Sequence, residues 1–258
     1  MEWYIYAALF TAGLAAGFIN TLAGSGSLIT LPLLIFTGLP ANVANATNRI
    51  SVFMQSLVSA ASFRNQKIYR LEEGLWFGLP AVFGSLIGSV TAININAAMM
   101  ERLIGGLLVF MFFIVLYKPE KWIQSKAGTI SGRPKIWQII IFFLIGAYGG
   151  FLQAGVGFMI LGGLVLGSGL NLTKANGLKA FITLILTVVA LAVFIINKQI
   201  AYLPGVVMAG GSMIGAYIAS RYAVSWGPKV VRIFLLAAIS GSALKFTGAY
   251  DLVVGLFR

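Results

Sequence analysis

Residues 17–49 read GFINTLAGSGSLITLPLLIFTGLPANVANATNR, and residues 150–179 read GFLQAGVGFMILGGLVLGSGLNLTKANGLK. Each stretch carries an apolar segment into a glycine-containing break, restarts as a short apolar segment, and turns at a glycine. Each then sets Ala-Asn ahead of a basic residue, Arg49 or Lys179. An offset of 131 lays Gly24 on Gly155, Gly26 on Gly157, Gly38 on Gly169 and Ala44-Asn45 on Ala175-Asn176. The same offset pairs Phe63 with Phe194, Lys67 with Lys198, Gly74 with Gly205, Gly84 with Gly215 and Ser89 with Ser220. Upstream, a two-residue gap brings Gly17-Phe18 onto Gly150-Phe151 and so aligns Asn20 with Gln153. The chain reads as two related halves.

Working outward, 258 residues that are 59% hydrophobic and 9% charged, with mean hydropathy +0.96, exclude a water-soluble domain with a polar exterior. That content makes room for roughly eight to ten segments of the ~20 residues that cross a ~30 Å hydrocarbon layer. Five apolar runs, at residues 3–21, 28–38, 41–63, 71–93 and 99–117, precede the long polar stretch 118–135. Five more follow it, at 136–152, 158–169, 172–196, 200–221 and 230–257. The expected organisation is a first transmembrane repeat over 1–117, a linker over 118–135 and a second repeat over 136–258. Glu2 stands where a signal peptide carries a basic residue, so the opening run is expected to be a retained helix.

Eighteen Lys and Arg against six Asp and Glu give a net charge of +12. In this setting the charges lie between apolar runs and act as topology signals, not as a nucleic-acid surface. The linker, with Lys118, Lys121, Lys126, Arg133 and Lys135, is placed in the cytoplasm of a multi-pass protein of the cell membrane. The loop with Arg64, Lys67 and Arg70 then lies inside too. If the opening pair of runs in each half makes an even number of passes, Lys174, Lys179, Arg221, Lys229 and Arg232 also fall inside, against Lys198, Lys245 and Arg258 outside. The second member of each pair, about 12 residues or ~18 Å of helix, is too short to span alone. The expected fold is therefore all-α: two inverted repeats, each a re-entrant or broken helical hairpin followed by three transmembrane helices, with both termini outside. The hairpin tips, at residues 20–27 and 153–158, are expected to approach each other.

Backbone that leaves the helical ladder inside a membrane survives only within protein or beside a water-filled cavity, so the breaks mark a candidate site. Helices restarting at Ser27 and Phe158 would aim free amides and a positive dipole end into it. Candidate substrate-binding residues are Asn20, Gly24, Ser25, Gly26 and Ser27 at the first tip, and Gln153, Gly155 and Gly157 at the second. Asn45, Asn48 and Arg49 share one helix face, which Gln55 extends, and Asn176 with Lys179 stands at the corresponding depth in the other half. A membrane-buried cation costs a few kcal/mol unless it snorkels, pairs with a helix end, or serves a site. All six acids, Glu2, Glu72, Glu73, Glu101, Glu120 and Asp251, lie at segment ends, so a cation substrate would lack a carboxylate. The favoured partner is a small anion within a lipid bilayer.

The order of glycine break, Leu31-Pro32, Gly38, Ala44-Asn45-Ala46-Thr47-Asn48 and the polar loop at Lys67, with its repeat in the second half, resembles the sulfite exporter TauE/SafE family of membrane permeases. The resemblance covers nearly the whole chain. It implies a plasma-membrane transporter, tied in several members to sulfur oxyanions or organosulfonates. Members commonly carry three or more consecutive glycines at the break, where this chain has Gly24-Ser25-Gly26-Ser27.

The absence of His and Cys removes the usual ligands of Zn, haem and Fe–S sites, and no metal or cofactor is expected. It also removes Ser/His and thiol chemistry, and a lone Asp rules out a paired-Asp protease, so no enzyme is expected. A non-transporting membrane scaffold and a permease for another small solute stand as alternatives. The Gly-rich and aromatic faces permit a homodimer without requiring one.

Overall fold

A computed structural model describes residues 2–116 and 134–222. The elements are helices: α1 (Trp3–Ala23), α2 (Ser27–Phe36), α3 (Ala41–Asn65), α4 (Leu71–Ile93), α5 (Ala97–Leu116), α6 (Ile136–Phe151), α7 (Val156–Ser168), α8 (Leu172–Ile196) and α9 (Tyr202–Tyr222). The chain is an all-helical, polytopic membrane protein. Four of these helices, α1, α4, α8 and α9, are long and apolar enough to cross a membrane. By contrast α2, α6 and α7, with 10, 16 and 13 residues, reach only ~15, ~24 and ~20 Å at 1.5 Å per residue. The linker, except for Pro134 and Lys135, and the run expected at 230–257 lie outside the described residues.

Backbone geometry pairs the halves. Positive φ occurs at Gly24 and Gly155 (80° and 76°), Gly38 and Gly169 (92° and 68°), and Lys67 and Lys198 (55° and 54°), each pair separated by 131 residues. At Gly24 the left-handed residue ends α1, with its amide bonded to the Asn20 carbonyl. Gln153, at φ 66°, has no counterpart.

The reason lies in the second break, and it corrects the alignment of Asn20 with Gln153. Glycines let α1 and α9 pack backbone to backbone, and α4 and α6 likewise. A β-carbon built on Gly17 would lie 2.1 Å from the Ser212 carbonyl oxygen, and one on Gly146 would lie 2.0 Å from that of Ala81. One on Gly215 would meet the Leu14 carbonyl oxygen at 2.0 Å, and one on Gly84 that of Phe143 at 2.0 Å. Ser212 and Gly215 stand 131 residues beyond Ala81 and Gly84, whereas Gly146 and Phe143 stand 129 beyond Gly17 and Leu14. The second break therefore holds two extra residues, Gln153 is among the insertion, and Asn20 corresponds to Gly149. Gly-Phe dipeptides are a poor register mark in a glycine-rich chain.

Side-chain bonds sort the ends of the helices. Gln66 Nε2 donates to the Ser220 carbonyl (3.1 Å), Lys174 Nζ pairs with Glu73 Oε1 (2.8 Å), and Gln138 Nε2 donates to the Gly167 carbonyl (3.0 Å). One end of the bundle thus gathers Arg64, Lys67, Arg70, Lys135, Lys174 and Arg221. The opposite end holds Lys198, near the Gln199 side chain that donates to the Ile93 carbonyl (3.1 Å). The Gln138 bond joins the start of α6 to the close of α7, so α6 and α7 form a hairpin open at the cation-rich end. Leu9 of α1 and Leu34 of α2 share a small apolar cluster with Ala44 and Met208, so α1 and α2 form a hairpin open at the other.

Candidate functional site

The two hairpin tips touch. A β-carbon on Gly24 would lie 2.2 Å from the carbonyl carbon of Gly157, and one on Gly157 would lie 2.4 Å from Cα of Gly24. Only paired glycines permit that approach. Gly155 caps the start of α7 beside the Met111 side chain, and α7 begins at Val156, two residues before the expected Phe158. Gly26 caps α2 and packs on the Ala16 carbonyl, while Ser27 opens α2 and is buried. Ser25, 1% exposed, has a hydroxyl with no hydrogen-bond partner among the described residues.

Each break is held by a cation from the other half. Arg49, on α3 and 0% exposed, donates from Nη1 to the Gly149 carbonyl (2.6 Å) and from Nη2 to the Gly150 carbonyl (2.7 Å). Nη1 also donates to Gln153 Oε1, and Asn45 Nδ2 donates to the Phe151 carbonyl (2.8 Å). Together they satisfy carbonyls that the last turn of α6 leaves without intrahelical partners. Lys179, on α8 and 3% exposed, donates to the Asn20 and Thr21 carbonyls of α1 (2.8 Å each) and to Asn176 Oδ1 (2.8 Å). Pairing with a helix end is thus the arrangement of both cations. Asn20 takes part through its main chain.

Several contributors were not singled out from the sequence. Thr30 Oγ1 donates to Asn48 Oδ1 (2.7 Å), Gln153 Nε2 donates to Thr187 Oγ1 (3.0 Å), and Tyr148 OH donates to the Ala154 carbonyl (2.7 Å). The Arg49 guanidinium carbon sits 5.1 Å from the centroid of the Phe194 ring. Phe194 already stood out as the match of Phe63. Thr187, matching Ser56 at the same offset, was a findable signal.

The electrostatic balance of the site is positive. Each break joins a helix C-terminus of about −0.5 charge to an N-terminus of about +0.5, which cancel and leave the basic side chains, so the two breaks carry about +2. Among the described residues the acids are Glu2, Glu72, Glu73 and Glu101; Glu73 is half-buried at a helix start and the others are exposed. No cluster of three acidic, His or Cys groups able to hold a metal occurs among the described residues. Among the described residues, Arg49 Nε and Asn48 Nδ2, both buried donors, have no hydrogen-bond partner, nor do the acceptors Asn45 Oδ1 and Gln55 Oε1.

Comparison with known proteins points to membrane transport. The model of the sulfite exporter TauE/SafE family matches residues 9–246. A "Probable membrane transporter protein" of Haemophilus influenzae is 28% identical over 88% of this chain and 89% of its own length. The "Probable membrane transporter protein YfcA" of Escherichia coli K12 is 27% identical, over 92% of this chain and 88% of its own. For "Probable membrane transporter protein YdhB" of Bacillus subtilis the values are 28%, 92% and 98%. An integral membrane chain with two broken hairpins meeting tip to tip, matched over nearly its full length by that family model, belongs to the sulfite exporter TauE/SafE family of membrane transporters.

Proposed function

We propose that this transporter is a secondary carrier or facilitator of small anions, sulfur oxyanions or organosulfonates foremost. One observation carries the reading: two basic side chains, Arg49 and Lys179, are buried beside paired helix breaks with no carboxylate paired to them among the described residues. Buried charges demand a counter-charge, and helix carbonyl ends supply only part of it. A tetrahedral anion completes the balance, drawing on Arg49 Nε, Asn48 Nδ2, the Ser25 hydroxyl and the first-turn amides of α2 and α7. Asn20, Gly24, Gly26, Ser27, Asn45, Gln153, Gly155, Gly157 and Asn176 shape and support that position.

In this reading the halves are inverted repeats in the plasma membrane, with the cation-rich end in the cytoplasm, as the positive-inside rule expects. The matched positive-φ residues and the crossed cation contacts support it. Alternating access moves one half against the other around the touching tips.

The test is flux in proteoliposomes, with sulfite, sulfate, methanesulfonate and acetate set against choline and Na⁺. The expected outcome is saturable movement of at least one sulfur-containing anion. Movement of cations alone would overturn the assignment.

A further inference from the structure

One face of α3 is polar along nearly its whole length. Asn48, Ser51, Gln55, Ser59, Ser62 and, just past the helix, Gln66 follow one another at spacings of three and four. This stripe runs over 19 residues, 48–66, a rise of ~27 Å at 1.5 Å per residue. It begins beside Arg49 and is buried through Ser59, and Gln55 Oε1 within it lacks a partner. At its far end, between α3 and α9, lies an open cavity of about 590 Å³ lined by Val58, Ala61, Ser62, Asn65, Gln66, Tyr217 and Arg221. Arg221 Nη1 donates to the Tyr217 hydroxyl (2.7 Å), which holds the guanidinium at the mouth of the groove.

The other half supplies the control. At the 131-residue offset, Ser51, Gln55, Ser59 and Ser62 correspond to Ile182, Leu186, Ala190 and Val193, and Asn65, Tyr217 and Arg221 correspond to Ile196, Leu86 and Val90. The fold is the same and the chemistry is opposite. Along α8 the polar face stops at Thr187, and Ala190 and Phe194 close it. A membrane helix keeps a buried polar stripe at an energetic cost, so its presence in one half alone calls for a function.

We infer that the α3–α9 groove is the port of the transported anion at the cation-rich end, with Gln55 as a way station between it and Arg49, while the corresponding route along α8 is sealed. This rests on the anion-carrier reading above. In the conformation described the groove reaches Ser62, with Ser59 and Gln55 buried beyond it, and Arg221 gathers the anion before the stripe opens to admit it.

The chain has no cysteine, so single cysteines report access directly. Gln55→Cys, Ser62→Cys, Leu186→Cys and Val193→Cys would be reconstituted in phosphatidylcholine vesicles and exposed to an impermeant maleimide from either side. Gln55→Cys and Ser62→Cys should label from the cation-rich side, and their counterparts from neither. Labelling of Gln55→Cys should cut methanesulfonate flux at least tenfold, whereas Gln55→Asn should retain most of it. Equal labelling of matched positions, or labelled Gln55→Cys with unchanged flux, would overturn the port. Arg221→Gln should raise the KM for methanesulfonate several-fold at an unchanged maximal rate. An effect confined to vesicles containing phosphatidylglycerol would make the groove a lipid-headgroup site and overturn the proposal. If wild-type protein moves no anion while labelling stays one-sided, the carrier reading fails and the access route stands. If anions move and labelling is symmetric, the port alone fails.

Discussion

The first break is three residues of glycine and serine held by a lysine; the second is four residues, held by an arginine and braced by Gln153. Lys179 is a point charge with three donors, and all its bonds go to the two α1 carbonyls and Asn176. Arg49 brings a planar fork of five donors, of which Nε stays unpaired after Gly149, Gly150 and Gln153 are bonded. The difference teaches that the two cations are used unequally. Lysine closes one break with its donors spent, while arginine closes the other and keeps Nε unpaired, the donor that the proposed function assigns to the anion.

The largest expected effect comes from removing the arginine. Arg49→Ala should reduce anion flux to background and lower stability by about 1–3 kcal/mol for each α6 carbonyl left buried without its donor. Arg49→Lys keeps the charge but not the fork, and should lower flux at least tenfold. Lys179→Arg should be milder than Arg49→Lys, since a fork can serve two carbonyls. Flux and thermal unfolding on the same preparations check all three. Equal losses for the two conservative exchanges would erase the distinction between the breaks.

A middle-sized effect belongs to the tip contact. Gly24→Ala places a β-carbon against Gly157 and forces a left-handed alanine, for about 1–3 kcal/mol of overpacking and ~1 kcal/mol of backbone strain. Thermal unfolding should show that loss, with flux falling in parallel. Gly38→Ala supplies the control, because its β-carbon meets nothing within 4 Å and it shares only the left-handed strain. Similar losses for the two would show that the tips do not need their close approach.

The smallest effect concerns Gln153. Gln153→Ala frees one Arg49 donor and strands Thr187, costing about 1–2 kcal/mol and shifting the KM for anions more than the maximal rate. Asn20→Ala preserves the carbonyl that Lys179 uses and should cost far less. The alignment of Asn20 with Gln153 predicts equal effects; the insertion predicts unequal ones.

Much of this architecture was legible beforehand. Composition alone demanded membrane helices, and the glycines at 24, 26, 155 and 157 marked where those helices break. Arg49 and Lys179 stood out because a charge so far inside an apolar run needs a reason. The partners of those charges were not legible. Each cation reaches across to the opposite half, and a crossing of that kind is a property of tertiary packing that no local spacing encodes. The insertion at Gln153 escaped notice because it falls in a non-helical break, where no hydrophobic period fixes the register. The contrast between Gln55 and Leu186 was present in the sequence, but it gains meaning only when α3 and α8 are known to occupy corresponding places.

The central claim is that two buried cations, with no carboxylate paired to them among the described residues, await an anion, and thermal unfolding of purified protein with sulfate or methanesulfonate tests it most directly. At a hundredfold excess over its dissociation constant a bound anion stabilises by about 2.7 kcal/mol, or roughly 5–11 °C for a chain of this size. The account predicts such a shift for at least one sulfur-containing anion in the wild type, and its loss in the Arg49→Gln/Lys179→Gln double variant. An undiminished shift in the double variant, or stabilisation by cations in place of anions, would contradict it.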